Sequence, residues 1–176
     1  MPENVEHKKS IFASLDVSAP ETAILASSTS AIPCSSFCSD LKTNHRCLVA
    51  HPVNPPHLIP LVEVCPGPFT HPDITLKAKQ FLEEIGQSPI IVKKEVESFI
   101  LNRLQVSAFF FLSFFSFSSP TLFLCLTSPL PLCMNLLLKK GALLNEAFRL
   151  VEDGLISTED LDKTLKDGLG LRWSFM

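Results

Sequence analysis

The densest group of residues able to do chemistry is His51-Pro52-Val53-Asn54-Pro55-Pro56, with Glu63 twelve residues beyond the histidine. Glu63 is the only acid in the apolar run Leu61-Val62-Glu63-Val64-Cys65. A carboxylate there needs a partner, because an unpaired buried charge is costly. The histidine is a natural one, and a His–carboxylate pair is the usual arrangement for an oriented general base. The competing reading is a satisfied core histidine and a glutamate bonded to backbone amides. Pro52, Pro55 and Pro56 fix the loop and remove donors, which suits a rigid segment that presents Asn54.

Two further groups carry polar side chains in apolar surroundings. Ser27-Ser28-Thr29-Ser30 follows a short apolar run, where hydroxyls either make turns or caps or meet a ligand. Phe99-Ile100-Leu101-Asn102-Arg103-Leu104 sets Asn102 in a helical, apolar context, and a buried amide must find partners. Cys34 and Cys38 with His45 are a conceivable metal set. The six cysteines form no C-x-x-C pair, however, and reduced, half-buried thiols are the simpler reading.

The elements that must position these residues are legible from periodicity. Val5 to Leu15 and Ile74 to Ile85 have helical spacing, the latter closed by Gly86. Ala23–Ala26, Cys47–Ala50, Leu61–Val64 and Ile90–Val92 are short apolar runs of strand type. His51 directly follows one of them, at the strand end where open α/β sheets bind ligands. Strands alternating with helices predict an α/β sheet with crossover helices over residues 1–95. From Ala142 the pattern is all-helical: Ala142 to Glu152, then a second helix opened by the capping-box-like Ser157-Thr158-Glu159-Asp160 and ended by Gly168 and Gly170.

Between these parts, Leu104 to Leu138 contains no charge and half of the chain's 14 phenylalanines. Three readings fit. An uncharged stretch beyond about 18 residues can span a bilayer, although Pro120, Pro129 and Pro131 interrupt this one. It can be a genuine apolar insertion. Or residues 106–141 are translated intron: Phe, Leu, Ser and Pro have pyrimidine-rich codons, and Val106-Ser107 is what a splice donor encodes in frame. Sequencing transcripts across the junction separates the last reading from the others. An insertion there would part Asn102 from the helix that should pack beside it.

A net charge of −3 with pI ≈ 5.9 gives no basic footprint for nucleic acid. The N-terminus carries acids where a secretory signal has a basic run and an apolar stretch, so a reducing, cytoplasmic setting is expected.

Taken in order, Ser28-Thr29-Ser30 after a strand, His51-Pro-Val-Asn-Pro-Pro56, Leu61-Val-Glu-Val64 and Phe99-Ile-Leu-Asn-Arg-Leu104 resemble the 3-hydroxyacyl-CoA dehydrogenase family. Ala142 to Gly154 and Asp167 to Arg172 continue the resemblance. It implies an incomplete Rossmann-type domain, its trailing half over 1–95, followed by the start of an all-α domain over 96–105 and 142–176. It also implies NAD as cofactor and a small-molecule hydroxy-acid substrate, L-gulonate or a 3-hydroxyacyl-CoA, in a protein that is a homodimer in the family. By position, His51 would take the proton of the 3-hydroxyl, Glu63 would hold His51, and Ser30 and Asn102 would position the reacting oxygen. Ser28, where many relatives carry asparagine, and Asn54 would line the cofactor. No G-x-G-x-x-G turn occurs in the chain. The family carries that half ahead of the residues matched here, and its helical domain continues further. Weak NAD binding and no detectable turnover by this chain are the expectation.

Overall fold

The computed structural model describes residues 4–107 and 130–175, with the backbone alone for 130–140. Helix α1 (Val5–Ser18) opens on Asn4, whose side chain accepts from the His7 amide. Strand β1 (Leu25–Ser27), a short helix α2 (Ser35–Cys38) and a 3-10 turn (Asn44–Arg46) lead into β2 (Cys47–Pro52) and β3 (Leu61–Pro66). Helix α3 (Pro72–Glu84) carries proline at its start, where a missing N–H costs nothing, and Gly86 beyond its end takes φ 82. Strand β4 (Ser88–Ile91) follows.

The sheet order is β1-β2-β3-β4. β1 runs parallel to β2 and β3 parallel to β4, each reached by a crossover, as the alternating pattern predicts. β2 and β3 are antiparallel, which that pattern does not predict. The physical reason is the length of residues 53–60: a parallel return needs a dozen or more residues, and this link is shorter. It is held by the Val53 amide on the Leu61 carbonyl at 3.1 Å and contains a cis Asn54–Pro55 bond.

Both sheet faces are covered. Leu48, Val64 and Ala78 pack with Ile24, Ala50, Ile74 and Leu82 under α3. The opposite face, bearing Leu25, Cys47, Val49, Leu61, Cys65 and Ile90, joins a larger core with Phe12, Ile100, Leu101, Leu104, Leu150 and Leu169.

Residues 101–107 form helix α4. Helix α5 (Leu130–Glu152) begins well before Ala142, with Pro131 tolerated in its first turn. It closes at Gly154, φ 66. The Ser157 hydroxyl accepts from the Asp160 amide at 3.1 Å and opens α6 (Thr158–Lys163), as the capping pattern predicts. Gly168 and Gly170 do not end the helical path. It widens into a π-helical turn (Thr164–Gly170) and continues as α7 (Leu171–Ser174). The reason lies in packing: a Cβ on Gly168 would meet Leu61 Cδ2 at 2.4 Å and Leu101 Cδ1 at 2.9 Å. Glycine there permits close approach to the sheet rather than a stop.

Among the described residues no helix is long and apolar enough to cross a membrane. Most of the uncharged stretch, residues 108–129, lies outside the described residues, and the three readings of it fall there.

Candidate active site

His51 and Glu63 are direct cross-strand partners in the β2–β3 ladder, so both side chains leave the sheet on one face. His51 therefore sits inside the strand, not just after it: pairing with β3 carries β2 on to Pro52. Its Nδ1 lies 2.7 Å from Glu63 Oε2. Glu63 is fully buried, and its other oxygen, Oε1, accepts from the Ile100 and Leu101 amides at 2.9 Å each. These amides belong to the start of α4, where N–H groups have no helical partner and an anion is favoured. Both sequence readings of Glu63 thus coexist in one carboxylate. An ionised carboxylate only accepts, so Nδ1 carries the imidazole proton and donates to Oε2. In the neutral ring Nε2 then has a free lone pair, the form a proton acceptor requires.

The Phe99 ring packs against the imidazole, with centroids 5.5 Å apart at 34°. Ser98 (φ 64) and Phe99 (φ 48) are consecutive non-glycine residues in the left-handed region. Each such residue costs about 1–3 kcal/mol and persists only where its surroundings over-determine it. No periodicity signals this turn, so sequence reasoning missed both the ring and the two amides.

The structure brings Asn102 and Ser30 together, but through the backbone: Asn102 Nδ2 donates to the Ser30 carbonyl at 3.2 Å. Asn102 and Ser30 are half-buried. Thr29, nearly fully buried, accepts from the Ile32 amide at 3.2 Å and fixes the turn after β1. Ser28 and Asn54 are exposed. The hydroxyl of Ser27 is buried without a partner among the described residues. Register puts it on the same sheet face as Val49 and His51.

Arg103, next to Asn102, holds Glu146 of α5 with Nε at 2.9 Å and Nη2 at 2.8 Å. The expected separation of Asn102 from the following helix is therefore corrected: α4 and α5 are tied by this pair. A cleft of about 590 Å³ opens beside it, lined in part by Ser98, Asn102, Arg103 and Glu146.

Cys34, Cys38, Cys47 and Cys65 are fully buried free thiols rather than half-buried ones. Hydrogen bonding with Cys34, then with Cys47, raises the Cys38 thiol, and burial pushes Cys65 up to about 12. His45 is exposed, whereas Cys34 and Cys38 are buried. Among the described residues no group of His, Cys, Asp or Glu is placed to hold a metal ion.

Residues 1–96 match the NAD-binding domain of 3-hydroxyacyl-CoA dehydrogenase, and residues 140–176 its C-terminal domain. The chain belongs to the 3-hydroxyacyl-CoA dehydrogenase family. It is 37% identical over its whole length to lambda-crystallin of Oryctolagus cuniculus, covering 44% of that protein. It is 34% identical over 99% of its length to an L-carnitine dehydrogenase of Pseudomonas, again covering 44%. Its fold is similar to a 5-formyl-3-hydroxy-2-methylpyridine 4-carboxylic acid 5-dehydrogenase described as an NAD+-dependent dismutase. That match has TM-score 0.59 and 29% identity, and covers 98% of this chain and 44% of the other. This member of the 3-hydroxyacyl-CoA dehydrogenase family thus spans less than half the length of these relatives. The two domain matches leave residues 97–139 between them.

NAD is the family's cofactor. The residues present do not fit its pyrophosphate, which needs a glycine turn at a helix start. The six glycines stand at 67, 86, 141, 154, 168 and 170, and none forms G-x-G-x-x-G.

Proposed function

We propose that this chain carries the proton-handling part of an NAD-dependent dehydrogenase acting on the 3-hydroxyl of a hydroxy acid. His51 is the general base, receiving the hydroxyl proton at Nε2. Glu63 fixes its tautomer and offsets the charge that His51 gains. Ser30 and Asn102 position the reacting oxygen from the neighbouring turn and helix. The observation that carries this reading is the 2.7 Å contact of Nδ1 with a carboxylate whose second oxygen is pinned by two amides. Hydride acceptance belongs to the dinucleotide, and no residue of this chain supplies it. On the similarity to lambda-crystallin we take the substrate to be a small polar sugar acid such as L-gulonate rather than an acyl-CoA.

The polypeptide of these 176 residues is expected to bind NAD weakly and to form no NADH above background from L-gulonate or from a 3-hydroxyacyl-CoA. Spectrophotometry at 340 nm checks this. Clear NADH formation rejects the inactivity. Any rate seen must fall roughly 10²–10⁴-fold in His51→Gln; a variant that keeps its rate removes His51 as the base.

A further inference from the structure

The left-handed pair Ser98–Phe99 is the one strained feature of the described backbone that touches the candidate site. Left-handed φ is rare for any L residue and an outlier for one as bulky as phenylalanine, so two in succession need a compensating cause. Three contacts supply it. The Ser98 amide donates to the Ala31 carbonyl at 3.4 Å, tying the turn to the segment after β1. Phe99 is fully buried in the main core. The next two amides end on Glu63 Oε1.

The geometry points to Phe99 as a positioning residue for His51. An extended backbone at 98 and 99 would not send one ring under the imidazole and the following two amides onto Glu63. The left-handed pair does both within four residues. Glu63 therefore holds the base with one oxygen and the turn with the other. The Phe99 ring, packed at a tilt of 34° with its centroid 5.5 Å from that of the imidazole, stops it from rotating away from Oε2. The orientation of His51 and the start of the helix that bears Asn102 are set by the same carboxylate. This assignment rests on His51 being the base, and the test separates the two.

The experiment uses the whole chain with ¹⁵N-labelled histidine and reads the His51 tautomer from its ring nitrogen shifts. In the native chain the Nδ1–H form is expected alone. Phe99→Leu keeps an apolar side chain but loses the flat ring, and is expected to raise the Nε2–H population at least tenfold. Should it fail to fold, Phe99→Met serves the same comparison. Ser98→Gly removes the strain at that residue and is expected to keep the single tautomer while raising the melting temperature. A core role alone would change the melting temperature of Phe99→Leu and leave the tautomer unmoved; that result overturns the proposal. Glu63→Gln is the control: with Oε1 still on the two amides, its NH₂ faces Nδ1 and forces the Nε2–H form. If the glutamine variant shifts His51 and the leucine variant does not, only the role of Phe99 falls. If neither shifts it, the His51–Glu63 dyad falls with it.

Discussion

Glu63 takes three hydrogen bonds while fully buried, so its removal leaves His51 and two amides without their acceptor. Glu63→Ala is expected to cost about 3–5 kcal/mol, the range for breaking a buried charged pair. Urea denaturation measures it, and a loss under about 1 kcal/mol means the acceptor is not needed. Asp16 is the second acid with a defined task. It accepts from the Thr43 hydroxyl and the Lys42 amide, and lies 3.7 Å from the buried Arg46 guanidinium. The Thr43 hydroxyl above all holds its carboxyl below the ordinary value, against a smaller opposing effect of burial. A depressed folded-state value means that the stabilisation is complete above the unfolded value, about 3.9, and is lost as pH falls through the folded one. The stability gap between the native chain and Asp16→Asn should therefore narrow on acidification from about pH 6 to about pH 3. Paired urea midpoints check this, and a gap that stays constant rejects it.

At the scale of elements, the helical path crosses β3 at close range. The π-helical turn at Thr164–Gly170 brings Gly168 onto Leu61, two residues before Glu63, and Leu101, the first residue of α4. Gly168→Ala adds a methyl group where no space exists and should destabilise by about 1–3 kcal/mol, as overpacking does. The effect is read from the thermal midpoint, and an unchanged midpoint would show that the turn gives way freely. Loss here also moves Leu101, whose amide is one of those on Glu63, so the packing of a distant helix and the setting of the base share a contact.

For the whole molecule, the two family-matched segments share one core and an edge. The Lys93 amide donates to the Leu155 carbonyl at 2.7 Å, the Ile91 amide to Asp160 at 3.3 Å, and the Ser88 hydroxyl to Asp167 at 2.7 Å. Asp160 thus covers the exposed edge of β4, a device that blocks edge pairing. With Ile90, Leu101, Leu150 and Leu169 in one cluster, the segments should unfold as a unit. Trp173 reports the end of the helical part and far-UV circular dichroism reports the whole. Coincident transitions are expected, and two separated ones would show independent units.

The residues of the dyad, the four strands and helices α1 and α3 were legible in the sequence because their signals are local. Periods of 2 and 3.6, a lone acid in an apolar run and a histidine beside a strand need no knowledge of distant residues. The antiparallel turn between β2 and β3 was legible in principle from the shortness of residues 53–60. What only the tertiary structure decided is how those residues meet. The register that faces His51 with Glu63, the left-handed turn that aims two amides and a ring at them, and the use of Gly168 for close packing all depend on contacts between residues far apart in the chain. Such contacts leave no periodic trace, because the energy that selects them exists only once the sheet and helices have closed on one another.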